Sequence, residues 1–341
     1  MKILFDIGHP AHVHLFRNFI KYLRRDNNSI FVVSRQKDVT NILLEHYQID
    51  YICLSKPRKN IFGIFMEMIE RDRKIYQLHK KNNFSISMGT SVSIAHLTAL
   101  SNVPSFNFNE DDDSSAPIYS FLAYPFTTKI MNPTCIRYNL WKNKRAFIPS
   151  YHELAYLHPN NFSPDLTVLE KYGLKEKDYI VARFSALQAH HDIGQKGISN
   201  SLWGKIKEVC LDYQIVTSVE NNMSHQIDPW DLHHVLAFSK LLITDSQTMT
   251  VEGAVLGIPS IKVNSFKDMS SVINELERRY KLSIGYLPEE ETKVLNTIER
   301  LLKNNDIESI WVERKEKMLR EKVDFNQWLI EYFENELVGY A

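Results

Sequence analysis

Leu241-Leu242-Ile243-Thr244-Asp245-Ser246-Gln247-Thr248-Met249-Thr250-Val251-Glu252-Gly253-Ala254-Val255-Leu256-Gly257-Ile258-Pro259 holds the turn from which the fold can be read. An apolar strand ends in Thr-Asp-Ser, and a helix begins at once. In open α/β sheets ligands gather beyond the C-terminal ends of the strands, where helix N-termini point at them. Unpaired N–H groups and the helix dipole there favour a phosphate. Ser246 and Thr248 can add hydroxyls, Gln247 an amide, and Glu252, about one and a half turns in, could accept both hydroxyls of a ribose. Thr-Asp-Ser before a helix is also ordinary N-capping.

The same alternation extends in both directions. Towards the C-terminus, Pro259 to Val263 is a strand; towards the N-terminus come a strand at Lys240 to Thr244, a helix at Leu232 to Ser239, a strand at Gln214 to Ser218, a helix at Leu202 to Asp212 and a strand at Tyr179 to Phe184. The first half opens with the strand Lys2 to Ile7, the break Gly8-His9-Pro10, and a helix with Val13, Phe16, Phe19, Ile20 and Leu23 on one face. Strands follow at Ser29 to Ser34, Ile49 to Leu54, Phe84 to Met88 and Val103 to Phe108, separated by helical stretches at Val39 to Tyr47, a long basic segment, and Ser91 to Ser101. Strands alternating with helices imply βαβ units and a parallel sheet. The 341 residues suit two domains. Their boundary is expected between Pro149 and Tyr179, and the segment from about Asp306 to Leu337 reads as one or two charged amphipathic helices.

Composition narrows the function classes. With 44% hydrophobic and 24% charged residues, the chain is neither disordered nor collagen-like. No stretch approaches the roughly 18 uninterrupted apolar residues of a membrane span, and Asp6 and Gly8-His9-Pro10 interrupt any signal-peptide core. Cys53, Cys135 and Cys210 are far apart and odd in number, which fits a cytoplasmic protein and no CxxC metal site. Residues 1–150 carry 20 Lys and Arg against 12 Asp and Glu, and the rest of the chain carries 21 against 29. The basic half suits an anionic surface or acceptor, or is merely unevenly spread charge; a nucleic-acid partner is not expected.

Asp245-Ser246, Glu252 six residues after the serine, Ala254 and Gly257-Ile258-Pro259 resemble the nucleotide-binding segment of GT-B enzymes. Related families are the UDP-N-acetylglucosamine 2-epimerases and the lipid II-forming N-acetylglucosaminyltransferase. Phe162-Ser163-Pro164-Asp165 through Tyr172-Gly173-Leu174, the Tyr151 to Pro159 segment and Asp6-Ile7-Gly8-His9-Pro10 together resemble the family called domain of unknown function three-five-four. That likeness spans nearly the whole chain. It implies two Rossmann-like domains facing a central cleft. Residues 1–160 would form the acceptor domain, with the C-terminal helix at about 325–341 packing back on it, and residues 161–324 the nucleotide-sugar domain.

The resemblance implies a donor site of Arg183, Ser185, His190, His191, Ser246, Gln247, Thr248 and Glu252, with a UDP-sugar as donor. A cation and hydroxyls after the strand ending at Phe184 would offset diphosphate charge, although a polar surface loop is the plain alternative. His233-His234, mid-helix, reads as structural. In the Asp6 to His14 turn, an imidazole near neutrality suits removal of a proton from a hydroxyl. His12 best matches the turn histidine of the lipid II-forming enzyme, with His9 next and Glu110 assisting as acid, base or acceptor ligand. Three histidines in six residues could instead bind metal, and at least one is expected to cap or pack. In Asn109-Glu110-Asp111-Asp112-Asp113, Asp112 and Asp113 are expected to be solvated, since GT-B proteins normally work without metal; no cofactor is expected.

Ser87-Met88-Gly89-Thr90-Ser91 lacks the acid that epimerases carry after the corresponding strand. The reading is therefore transfer of a sugar to a glycan or lipid-linked acceptor in surface-polysaccharide or glycolipid synthesis. The alternatives are an epimerase or hydrolase, or a non-catalytic sugar-nucleotide-binding protein, which the low glycine count of 11 slightly favours. Finally, Pro57 to Ile69 joins bases to large apolar residues. A helix packing its apolar face inward is expected. Peripheral contact with the inner face of an anionic membrane is the alternative.

Overall fold

A computed structural model describes residues 1–184, 197–219, 227–265 and 269–336. The chain divides into two compact units, Met1–Tyr156 with the stretch from Val323, and Leu157–Lys322.

The first unit is built from β1 (Lys2–Ile7), α1 (Pro10–Arg25), β2 (Ser29–Arg35), α2 (Thr40–His46), β3 (Ile52–Ser55), α3 (Ile61–Asn82), β4 (Ile86–Gly89), α4 (Val92–Ser101), β5 (Ser105–Phe108), α5 (Pro117–Ala123), β6 (Lys129–Pro133) and β7 (Arg145–Ile148). Its seven strands are parallel, in the order β3-β2-β1-β4-β5-β6-β7. The order reverses direction between β1 and β4, the switch point at which such sheets open a crevice. The core strands are buried on both faces, so they read as unbroken apolar runs. Helix α1 starts cleanly because His9 caps it, Nδ1 accepting the Ala11 amide at 3.2 Å, and Pro10 takes the first position. At β4, a Cβ on Gly89 would come 2.5 Å from the Asp6 carbonyl oxygen, so this residue lets β4 close on β1.

Helix α3 departs from the sequence expectation. Its buried stripe is Glu67, Arg71 and Ile75, while Ile61, Phe62, Ile64, Phe65, Met66 and Ile69 are exposed. Ion pairs decide the facing. Glu67 accepts two bonds from Arg35, at 2.7 and 2.9 Å, and one from Ser55 at 2.8 Å. Arg71 pairs with the fully buried Asp6 of β1 and donates to Ser55 Oγ at 3.1 Å. Turning the apolar side inward would carry Glu67 and Arg71 out to solvent and leave the buried Asp6 without its partner, at several kcal/mol.

After the short helix α6 (Leu154–Leu157) the second unit contains α7 (Val168–Lys171), β8 (Tyr179–Phe184), α8 (Asn200–Val209), β9 (Gln214–Val219), α9 (Leu232–Ala237), β10 (Leu241–Thr244), α10 (Gln247–Leu256), β11 (Ser260–Val263), α11 (Ser271–Arg278), β12 (Ser283–Tyr286), α12 (Glu291–Lys303) and α13 (Ile307–Glu321). The five strands are parallel, in the order β12-β11-β10-β8-β9. The last helix, α14 (Phe325–Glu336), belongs to the first unit, where Phe333 lies edge-on to Phe19 of α1 at 4.8 Å. The Val323 amide anchors its start, donating a hydrogen bond to the Pro149 carbonyl at 3.0 Å. The strands that periodicity did not reveal, β6, β7 and β12, are four or five residues long and carry Lys129, Arg145 or Gly285.

Candidate active site

Three strand ends of the first unit supply one polar cluster. The turn after β1 brings His12, the turn after β4 brings Thr90, and Glu110 follows β5. The Gly8 amide donates to His12 Nδ1 at 3.3 Å. The Thr90 hydroxyl lies 2.7 Å from Nδ1 and 3.1 Å from Nε2, so both ring nitrogens have partners. His12 keeps some accessible surface, but the protein packed around it, with help from the positive charge of Lys37, pulls its pKa down to about 3. The ring is therefore neutral at physiological pH.

Beyond β7, the His152 amide donates to Glu110 Oε1 at 2.6 Å. The His152 ring sits edge-on to Phe325 at 5.4 Å, its Nδ1 is 3.7 Å from Glu110 Oε2, and its Nε2 is buried without a hydrogen-bond partner. Burial, then the nearby His12, pulls this imidazole down to about 3 as well. Glu110 moves the other way. Burial pushes its carboxyl up to about 8, against the pull of the His152 amide; Asp111 adds to the rise, and a bond with the Glu153 side chain opposes it. A carboxyl poised near neutrality beside the neutral His152 imidazole can give or take a proton at working pH.

The other histidines of the turn have separate duties. His9 is the cap of α1, and His14 is buried, stacked on Tyr156 at 5.1 Å. No group of three or more His, Cys, Asp or Glu able to hold a metal occurs among the described residues. Asp112 and Asp113 are not solvated, which corrects the sequence expectation. Asp112 is fully buried and takes the Arg137 amide at 2.7 Å and its guanidinium at 3.0 Å. Asp113 takes the buried Arg145 at 2.8 and 2.7 Å. These acids are consumed in tying the loop after β5 to Arg137 and to the first residue of β7, because a buried carboxylate needs such partners.

In the second unit β10 ends at Thr244, whose hydroxyl donates to the Arg183 carbonyl at 2.7 Å and accepts the Ser246 amide at 3.0 Å. Arg183 lies in register with Thr244 across the β8–β10 pair. Ser246 caps α10, its Oγ accepting the Met249 amide at 3.4 Å, and Gln247 and Thr248 stand half-buried in the first turn. A helix N-terminus of this form presents unpaired amides and positive potential to an anion. Glu252 is buried at 4% exposure, and its Oε1 lies 3.0 Å from His233 Nε2. Gly257, at φ 79°, ends the helix in the left-handed region that suits glycine. Ser185, His190 and His191 lie outside the described residues.

Thus the described donor-site candidates lie on β8 (Arg183) and at the amino end and first turns of α10 (Ser246, Gln247, Thr248 and Glu252), and His12 and Glu110 gather with Thr90, His152 and Glu153. His152 and Glu153 were not singled out as site residues from the sequence. Their signal was a His-Glu pair four residues after β7, a strand of only four residues that opens on Arg145. His233, expected to be structural, is buried with its Nε2 3.0 Å from Glu252 Oε1.

The family model described as "Protein of unknown function (DUF354)" matches residues 1–331. No curated protein matches the chain. Among solved structures, an S. aureus MnaA–UDP co-structure is similar with a TM-score of 0.72 at 11% identity, covering 100% of this chain and 97% of that one. A UDP-GlcNAc 2-epimerase from Neisseria meningitidis bound to UDP-GlcNAc gives 0.67 at 10% identity, covering 94% and 100%. The spinosyn forosaminyltransferase SpnP gives 0.65 at 11% identity, covering 99% of each. With its two parallel sheets, the fold of this chain is GT-B-like.

Proposed function

We propose, on the premise that the chain belongs to the DUF354 family, that it is a metal-independent GT-B-type glycosyltransferase. It moves a sugar from a UDP-sugar to a hydroxyl of a glycan or lipid-linked acceptor in surface-polysaccharide or glycolipid synthesis. The observation that carries this reading is the placement of Glu110 beyond β5, its Oε1 taking the His152 amide at 2.6 Å and its Oε2 3.7 Å from His152 Nδ1, in surroundings whose burial pushes the carboxyl up.

The second unit binds the donor. The amino end of α10, with Ser246, Gln247 and Thr248, takes the diphosphate, and Arg183 with Ser185, His190 and His191 offsets its charge. Glu252, oriented by His233, accepts the ribose hydroxyls. The first unit handles the acceptor. As the acceptor oxygen bonds to the anomeric carbon, its proton passes to the Glu110 carboxylate, the bond from that carbon to the diphosphate breaks, and UDP leaves with the bonding electrons. General-base catalysis works best with a pKa near working pH, so Glu110 rather than His12 takes the proton. His12, its nitrogens held by Gly8 and Thr90, orients the acceptor through the Thr90 hydroxyl.

A second reading, epimerisation or hydrolysis of the same donor, is favoured by the bond between Glu110 and Glu153. Two carboxyls in one site supply an acid and a base despite the missing acid after β4. Product analysis with a panel of UDP-sugars separates the readings. Free UDP released only when a glycan or lipid-linked acceptor is added supports transfer. A changed sugar still on UDP, or UDP released without acceptor, supports the second reading. No conversion under any of these conditions removes both.

A further inference from the structure

The first two turns of α3 are exposed to a degree that nothing in the proposed chemistry requires. Ile61 is 88% exposed, Phe62 72% and Phe65 52%, and Ile64, Met66 and Ile69 extend the same surface. Isolated apolar residues on a surface are ordinary, but a contiguous group of this size marks an interaction site. On the neighbouring helices of that face of the sheet the theme recurs: Ile118 and Phe121, at the start of α5, are 76% and 77% exposed. Helices α3 and α5 both begin at the C-terminal edge of the sheet, the edge that carries His12 and Glu110.

The charge around the patch is one-sided. Residues 56–81 contain eight Lys and Arg and three acids. All three acids are engaged, Glu67 by Arg35, Glu70 by Lys74 and Arg58, and Asp72 by His96 at 2.7 Å; of the eight bases, Arg58, Lys74 and the buried Arg71 are engaged as well. Lys56, Lys59 and Arg73 remain exposed around the apolar turns. Beside them Ser55, Lys56, Arg58 and Glu70 border an open recess of about 370 Å³, room for a phosphate-bearing head group. Apolar turns framed by outward-reaching bases match a surface that is apolar inside and anionic outside. A second copy offering the same basic face would be repelled.

We propose that residues 56–69 dock the protein on the surface of an anionic phospholipid bilayer. Ile61, Phe62 and Phe65 enter the head-group and acyl boundary, and Lys56 and Lys59 meet the lipid phosphates. Contact is peripheral, since no described helix is long and apolar enough to cross a membrane. The docking stands apart from the proposed reaction. Only the consequence that a bilayer-borne acceptor meets the edge bearing Glu110 rests on the transfer reading.

The test uses the full chain and vesicles of phosphatidylcholine alone or mixed with phosphatidylglycerol, followed by flotation. The protein should float with the mixed vesicles, far less with the neutral ones, and salt should release it. The F62S/F65S variant should lower partitioning about tenfold or more, and K56E/K59E about tenfold on the mixed vesicles. These side chains are exposed, so both variants should unfold at the wild-type temperature. Absence of flotation with the mixed vesicles, or F62S/F65S floating like the wild type, overturns the proposal. So does self-association that F62S/F65S abolishes without any vesicle binding, which would make this face a contact between copies. Nucleotide titration of the same preparations without vesicles reports on the donor site separately.

Discussion

Replacing Glu110 by Gln tests whether burial really holds this carboxyl neutral. The ordinary glutamate value of 4.5 rises to about 8 in the folded protein. At 1.36 kcal/mol per pH unit the full displacement is on the order of 5 kcal/mol. The side chain keeps 18% exposure, so screening and relaxation should leave roughly half, about 2 kcal/mol. The sign follows from the raised folded value. Stability from this group is complete below 4.5, where both states are protonated, and is lost as the pH climbs through about 8. Glutamine is always neutral and nearly isosteric, and its carbonyl can still take the His152 amide. Glu110→Gln should therefore match the wild type at pH 5 and be more stable by about 2 kcal/mol at pH 9, raising the melting temperature of its unit by about 5 °C. Urea unfolding at pH 5, 7 and 9 reads the difference. The same variant should lose transfer by about 100-fold or more, together with the rise in wild-type rate between pH 7 and about 8. A stability difference that is the same at pH 5 and pH 9, or negative at pH 9, would refute the claim that burial keeps Glu110 protonated, and with it Glu110 as the proton acceptor.

On the acid side, His12 and His152 both fall to about 3 from 6.5, so their stabilisation is present above 6.5 and is lost as the pH drops towards 3. The wild type should lose up to about 2.7 kcal/mol per pH unit across that window from this pair, and His152→Gln should roughly halve the slope in urea titrations at pH 4 to 7; an unchanged slope would place His152 outside the buried cluster. Gly89→Ala forces a Cβ against the Asp6 carbonyl and should cost about 2 kcal/mol in urea unfolding. A loss under about 0.5 kcal/mol, the range of an ordinary surface change, would mean that β1 and β4 are not packed this closely.

What could be read from the sequence depended on how each element earns its burial. β1, β8, β10 and β11 are buried on both faces, so their residues form the apolar runs that mark parallel strands. The amino end of α10 was legible because capping chemistry is local: Ser246 acts on an amide three residues away. β7 was not, since Arg145 sits inside four residues and is buried only because Asp113 and Asn132 receive its guanidinium. With β7 hidden, His152 and Glu153 could not be assigned to the cluster, because only the strand order carries them to Glu110 and His12. The facing of α3 failed for a related reason. Hydrophobic periodicity places the apolar stripe inside, whereas Glu67 and Arg71 are drawn in by Arg35 on β2 and Asp6 on β1, contacts far away in sequence. Asp112 and Asp113 looked like a solvated acidic run until their arginine partners came from more than twenty residues downstream.

The central claim is that the second unit binds a nucleoside diphosphate through the amino end of α10, and isothermal calorimetry on the folded full-length protein measures it directly. Titrated with UDP, CDP, GDP and ADP, the protein should bind UDP most tightly, and Glu252→Gln should weaken that binding by roughly tenfold, about 1.4 kcal/mol, through the lost ribose contact. Folded protein that takes up none of the four at millimolar concentration would contradict the account.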